Sequence, residues 1–191
     1  MDDKHLVQAF QAGDEFAFVS LYNRYKTRVY AFCLKMLGDE ELARDVLQET
    51  FVRAYENKHR LAQASSFRSW LFTIARNQSL NTIRKRERIV KLDDRSDAQP
   101  RADERDTPIS RLEKNERIAL VNRFLAELKP EYREVIILRE YQNLSYEEIA
   151  AVTRNTVSSV KSRLFKARRK LAGLLRPHIK PEPAVPPSSF A

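Results

Sequence analysis

SYEEIAAVTRNTVSSVKSRLFKARRKL, residues 145–171, decides how the chain folds. Ser145 and Glu148 stand at the spacing where a serine hydroxyl and a glutamate carboxylate each close one of the free amides at a helix start. A helix carrying Ile149, Ala150 and Val152 therefore begins there. Arg154, Asn155 and Thr156 favour a turn over a helix interior, and a second helical pattern runs from Val157 to Leu171. Two helices joined by three or four residues, with a small alanine where they cross, predict a helix-turn-helix.

The second helix divides into faces at about 100° per residue. Val157, Val160, Leu164, Ala167 and Leu171 form one apolar stripe, as a helix seated on a small core requires. Ser158, Ser162, Phe165, Lys166 and Arg169 lie opposite, flanked by Lys161, Arg163 and Arg168. From Lys161 to Lys180 there are eight Lys or Arg and no Asp or Glu, which concentrates a positive field at this end. Such cations take phosphate oxygens or guanine edges, serines serve either, and an outward phenylalanine suits a thymine methyl or a sugar. The plainer reading is a solvated basic helix; agreement among turn, stripe and capping box weighs against it.

The whole chain of 191 residues carries a formal charge of +9, which favours a polyanionic partner, nucleic acid or an anionic membrane surface. Its longest uninterrupted aliphatic run, Val135 to Leu138, is far short of the roughly 20 residues that span a bilayer, so no membrane insertion is expected. The start, MDDKHLVQAF, lacks a basic region followed by an apolar run and a cleavage site, which makes the cytoplasm the expected location. The single Cys33 forms no internal disulfide and reads as a small core residue. His5, His59 and His178 lack ligand spacing, and the three glycines form no phosphate loop. No metal and no cofactor is expected.

Before the helix-turn-helix, the chain reads as helices throughout. Asp2 or Asp3 caps a short helix with Leu6, Val7 and Phe10, ending near Gly13. A longer one carries Phe18, Leu21, Tyr25, Val29, Phe32 and Met36 and stops at Gly38. Asp39 caps a third, with Ala43, Leu47, Thr50 and Ala54 inward and Asp45, Gln48, Glu49 and Val52 outward. From spacing alone that outward side is an ordinary solvated face. After a loop over Arg60 to Ser66, a fourth helix from about Phe67 to Ile89 holds Phe67, Trp70, Leu71, Ile74 and Ala75 on one side and ends in Arg84, Lys85, Arg86 and Arg88. Aromatic rings beside cations suit unpaired bases, although Trp70 serves equally as core.

From Lys91 to Asp106 the pattern turns polar, with six Asp or Glu against four Lys or Arg, and reads as a flexible linker. Thr107 and Pro108 restart helix; Ile118, Val121, Leu125 and Leu128 give it an apolar face, and Pro130 separates it from the next. The expected architecture is all-α: a helical domain over 1–90, a linker over 91–107, a helix-turn-helix domain over 108–176 and a Pro-rich disordered tail over 177–191.

Two helical domains on a linker, the first ending in an aromatic and basic helix, resemble bacterial RNA polymerase sigma factors of the extracytoplasmic-function group (group IV). The resemblance spans roughly Leu6 to Leu175 and rests on DVLQETF at 45–51, on Trp70, Leu71, Ile74, Ala75 and Asn77, and on LSYEEIA at 144–150 followed by VKSRL at 160–164. It implies a non-enzymatic factor that binds core RNA polymerase, directs it to promoter DNA and assists melting. An anti-sigma partner is implied too. On this resemblance Asp45, Gln48, Glu49 and Val52, with Phe51 and Arg53 adjacent, form the polymerase-docking surface. The loop at 60–66 and the helix bearing Arg68, Trp70, Arg76, Asn77, Arg84 and Lys85 take the minus-ten element. Ser158, Ser159, Lys161, Ser162, Arg163, Phe165, Lys166 and Arg169 read the minus-thirty-five element, and the linker threads toward the polymerase active-site cleft.

The chain departs from the group's usual pattern at the turn. Arg154 stands where glycine is common, Asn155 where an apolar residue is common, and Ser158 and Ser159 replace a frequent Gly-Thr pair. Asn tolerates left-handed backbone better than most residues, so the turn is expected to survive. The loop at Leu61 to Ala64 lacks the aromatic and charged residues often found there. Two other classes fit less well. A repressor would carry a ligand or phosphoacceptor domain ahead of the helix-turn-helix, and residues 1–90 show no strand alternation. A recombinase would need a nucleophile with convergent bases and arginines, and no such set is assignable.

Overall fold

The computed structural model describes residues 3–92 and 119–178, and among them every regular element is helical. Helix α1 spans Asp3–Gln11, α2 Glu15–Leu37, α3 Glu40–Glu56 and α4 Phe67–Leu92, with two short 3₁₀ turns, Lys58–Arg60 and Ala64–Ser66, between the last two. A helix over 119–127, α5, opens the second domain. It is followed by α6 at Pro130–Ile136, α7 at Tyr146–Thr153 and α8 at Val157–Leu175.

The boundaries follow from local chemistry. Asp14 accepts from the amides of Phe16 and Ala17 at the start of α2. Gly38, at φ 67, ends that helix by donating to the Leu34 carbonyl at 2.8 Å, a left-handed position that costs glycine little. Asp39 accepts from the Leu42 amide at 3.0 Å, a cap worth about 1 kcal/mol over alanine. Between α1 and α4, the Gln11 amide donates to the Leu61 carbonyl at 2.7 Å and fixes the loop that precedes α4.

Leu6, Val7, Phe10, Leu21, Tyr25, Phe32, Met36, Phe67, Leu71 and Phe72 fill the first domain. Leu125, Leu138, Leu144, Ile149, Val152, Val160 and Leu164 fill the second. Cys33 is fully buried in the first core, as expected, and burial pushes its thiol up to about 12. The two domains are in contact: α4 packs on α7, and the end of α2 meets the segment after α6, so the apolar core runs on between them.

Three boundaries differ from expectation. Helix α4 runs on to Leu92, past the expected end near Ile89, so Lys91 and Leu92 belong to the helix. Helix α6 widens at once into a π turn over Ile137–Tyr141, which apolar periodicity alone does not reveal. Pro177 and His178, assigned to the tail, lie in a 3₁₀ turn after α8, where the His178 ring stands 5.2 Å from Phe124. The helix start at Thr107 and Pro108, most of the linker and the tail from 179 lie outside the described residues.

Candidate nucleic-acid and protein interfaces

The capping box that opens the helix-turn-helix is present in full. The Ser145 amide donates to Glu148 Oε2 at 2.7 Å, and the Glu148 amide donates to Ser145 Oγ at 3.1 Å. The turn closes on Arg154, at φ 54 and ψ 48, while the Asn155 amide reaches back to the Ala150 carbonyl at 3.0 Å. The left-handed residue is thus Arg154, not the Asn155 that tolerates it better. The side chain of Asn155 instead donates to the Thr153 carbonyl at 2.7 Å.

Helix α8 presents the two faces its spacing demands. Val160, Leu164 and Ala167 are buried, whereas Ser158, Lys161, Ser162, Lys166 and Arg169 are exposed and Phe165 is 67% exposed. Phe165, Lys161, Arg169 and Tyr146 line a cleft of about 380 Å³ beside the helix. Two of the expected contacts are placed differently. Ser159 is half-buried, with its amide held by Thr156 Oγ1 at 3.2 Å, and Arg163 turns inward to within 3.7 Å of Glu134. Arg168, assigned only to the flank, is tied to Glu140, which raises its already high pKa.

Helix α4 carries the second group. Arg84 and Lys85 are exposed at its far end. Trp70 packs its ring 5.9 Å from Phe67, as a core residue does, and also lines a cleft of about 370 Å³ with Arg53, Asn57, Arg60, Asn77 and Asn81. The side chain of Arg154 reaches the same cleft from the other domain.

Arg68 and Arg76 are not free for a strand in this arrangement. Arg68 donates to the Gln142 carbonyl and lies 4.0 Å from Glu148. Arg76 donates through Nε to Glu134 Oε2 at 2.7 Å and through Nη2 to Oε1 at 3.2 Å. Burial raises the pKa of Glu134, and its contact with Arg76 works against that rise.

The third group lies on α3. Asp45, Gln48 and Val52 are exposed and Glu49 is half-exposed, paired with Arg53 at 2.5 Å. Phe51 is buried, edge-on to Tyr22 at 4.8 Å, so the inward stripe includes Val46 and Phe51 beside Ala43, Thr50 and Ala54. Its position in the sequence is adjacent to the outward residues, but its side chain belongs to the core.

Alongside runs a groove of about 860 Å³, lined by Phe18, Tyr22, Leu47, Phe51, Val52 and Tyr55 with Arg44, Gln48 and Glu56 at the rim. Val52 and Tyr55 are 45% and 38% exposed in it. An open apolar groove with a charged rim fits a protein helix better than a nucleic acid. Sequence reading missed the aromatic wall, although Phe18 with Tyr22 and Phe51 with Tyr55 are pairs at helical i, i+4 spacing.

Among the described residues no helix is long and apolar enough to cross a membrane, and no cluster of three His, Cys, Asp or Glu could hold a metal.

Residues 21–89 match the family model for Sigma-70 region 2, and residues 118–171 match that for Sigma-70, region 4. The chain is 32% identical over 182 residues to the RNA polymerase sigma-H factor of Pseudomonas aeruginosa, covering 92% of this chain and 94% of that one. It is 33% identical over 154 residues to the ECF RNA polymerase sigma factor SigM of Bacillus subtilis, covering 81% and 92%. Among solved structures, the sigma factor RpoE in complex with the anti-sigma factor NepR from Bartonella quintana superposes with a TM-score of 0.70 at 27% identity, covering 83% of this chain and 96% of that one.

Proposed function

This chain belongs to the extracytoplasmic-function RNA polymerase sigma factors, which direct the polymerase to promoters for transcription initiation, and from that membership we propose how its surfaces divide the work. The family consists generally of non-enzymatic initiation factors. The first domain grips the polymerase through the α2–α3 groove and the outward α3 face formed by Asp45, Gln48, Glu49, Val52 and Arg53, with Phe51 holding the groove wall from inside.

The α4 face with Arg68, Trp70, Arg76 and Asn77, and beyond it Arg84 and Lys85, takes the minus-ten strand. Trp70 stacks on an unpaired base while the amides and arginines of its cleft hold the backbone. Helix α8 enters the major groove at the minus-thirty-five element. Phe165, Lys166 and Arg169 make the forward contacts, and Ser158, Lys161 and Ser162 lie alongside. Ser159 and Arg163 act from behind, as groups that hold the helix end and its flank.

The observation that carries this reading is the opposed placement of Phe165 and Val160 on one helix. The basic, aromatic side stands in water while the apolar side is sealed. The chain acts in the cytoplasm, with the polymerase, and an anti-sigma protein of the kind seated on the Bartonella sigma factor covers the same surfaces. Run-off transcription with purified core enzyme and a genomic fragment library tests the whole: discrete transcripts that require this chain are expected. Unchanged transcripts in its absence would refute the reading.

A further inference from the structure

Between α3 and α4 the chain makes two single 3₁₀ turns and, at 61–63, no regular structure at all. The first turn is held by few bonds of its own: the Arg60 amide donates to the Asn57 carbonyl at 2.9 Å and the Leu61 amide to the Lys58 carbonyl at 3.3 Å. Turns this short have poor hydrogen-bond geometry, so their direction is set by what they touch.

Here the contact comes from the far end of the domain. Gln11, half-buried at the end of α1, donates through Nε2 to the Leu61 carbonyl at 2.7 Å and to the Lys58 carbonyl at 3.3 Å, which uses both donors of its amide. The platform beneath it is stiff. Gly13, at φ 103, turns the chain so that its amide returns to the Phe10 carbonyl and the Asp14 amide to the Ala9 carbonyl, each at 3.0 Å, the paired bonds that seal a helix end. On the same side Lys58 Nζ stands over the rings of Phe10 and Tyr55, 5.7 and 4.5 Å from their centres, and the Leu61 side chain is buried. The two clamped carbonyls bracket Arg60, whose side chain is exposed and lines the cleft of Trp70 and Asn77.

We propose that Gln11 is a positioning residue for strand capture: by clamping the carbonyls of Lys58 and Leu61 it aims Arg60 at the backbone of the strand whose base stacks on Trp70. A long cation on an isolated turn must surrender much rotamer freedom to meet a phosphate, and fixing the backbone it springs from removes part of that cost beforehand. A ring for the base with an arginine for the phosphate is the pairing that single strands require. The inference rests on the assignment of the α4 face to the minus-ten strand. To that face it adds a contact residue, Arg60, and a strut on α1, outside every surface assigned above.

The test uses holoenzyme reconstituted from the full chain and core polymerase, on the genomic fragment that gives the strongest chain-dependent transcript. Strand opening is read as permanganate reactivity of unpaired thymines. Gln11→Met keeps the length of the side chain and removes its donors; Arg60→Ala removes the cation. Each should lower opening about fivefold, the factor carried by the net contribution of one hydrogen bond. The double variant should fall no further than Arg60→Ala, because Gln11 acts through Arg60. Capture of core polymerase by Gln11→Met should equal that of the parent.

Because losing the clamp can loosen the domain, thermal melting is followed in parallel and Gln11→Glu is measured beside Gln11→Met. Glutamate keeps length and polarity but offers only acceptors to the two carbonyls, and should open the strand no better than the methionine variant. A merely structural role for Gln11 would lower the melting temperature and leave opening intact, or give losses that add in the double variant; either result would overturn the strut. Arg60→Ala that opens as the parent does, while Trp70→Ala is defective, would overturn the inference alone. Trp70→Ala that opens normally would overturn the α4 assignment, and the inference with it.

Discussion

Arg168 on the recognition helix grips Glu140 at the end of the π turn through two nitrogens on one oxygen, Nη2 at 2.5 Å and Nε at 3.1 Å. The pair spans 28 residues and ties α8 to the segment before α7 while leaving both side chains about half exposed. An exposed pair of this kind adds only about 0.5 kcal/mol to stability, so its consequence lies in what Arg168 is kept from touching. Glu140→Gln should free it for a phosphate. We expect a melting temperature within a degree or two of the parent and a salt dependence of duplex binding steeper by about one ion. An unchanged slope would leave Arg168 outside the interface.

Lys166 and Arg169 project from the same exposed side as Phe165. Lys166→Ala or Arg169→Ala should weaken binding to the upstream promoter element. A lost base contact costs about 1 to 3 kcal/mol at any salt concentration, whereas a lost phosphate contact mainly flattens the salt slope. Binding of both variants equal to the parent at two salt concentrations would remove the pair from the interface.

Asp45 and Glu49 stand on the outward face of α3 rather than in the core. Asp45→Arg with Glu49→Arg should reduce capture of core polymerase at least tenfold, a loss of about 1.4 kcal/mol or more. Circular dichroism should match the parent, because the Glu49 pair with Arg53 is surface-exposed and its loss costs little. Undiminished capture would move the docking surface elsewhere.

Arg154 holds a left-handed backbone that most L-residues enter only at a cost of about 1 kcal/mol or more. Arg154→Gly removes that strain while the Asn155 amide still reaches the Ala150 carbonyl. The expected result is a gain of roughly 1 kcal/mol in denaturant unfolding, read as a higher midpoint at constant slope. A loss of stability would mean that the Arg154 side chain contributes more than the strain it brings.

Asp3 anchors α1 to α2 by accepting from Tyr25 and Arg24. Burial pushes its carboxyl upward, but the hydrogen bonds from Tyr25 and Arg24 outweigh it and hold the group below its ordinary value of 3.8. A carboxylate depressed on folding stabilises the protein fully above its unfolded value and loses that contribution as pH falls through the lower folded one. Asp3→Asn should therefore cost stability near neutrality and reduce the difference from the parent as the solution is acidified below about pH 4. A stability gap that stays constant down to pH 2 would separate Asp3 from the acid response.

The elements and their faces were legible in the sequence because helical periodicity is local. Ser145 with Glu148, Asp39 before α3 and Gly38 after α2 each act within one turn of chain, and the alternation of Val160, Leu164 and Ala167 with Ser162, Phe165 and Lys166 needs no knowledge of what lies across from it. The same local rule left the burial of Phe51 unread. The buried arc of α3 is broader than a strict four-residue stripe, because α2 brings Phe18 and Tyr22 against it.

Tertiary structure alone decided how the charges are used. Arg76 and Glu134 are 58 residues apart, and nothing in either neighbourhood says that a basic residue of α4 will meet a buried carboxylate of the other domain. That meeting depends on which faces of α4, α6 and α8 come together, a matter of packing among side chains distant in sequence. The sequence by itself determined a two-part helical factor with a basic recognition helix. Packing determined that Arg76 of the first domain is held by Glu134 of the second, because an arginine binds whichever anion is geometrically at hand.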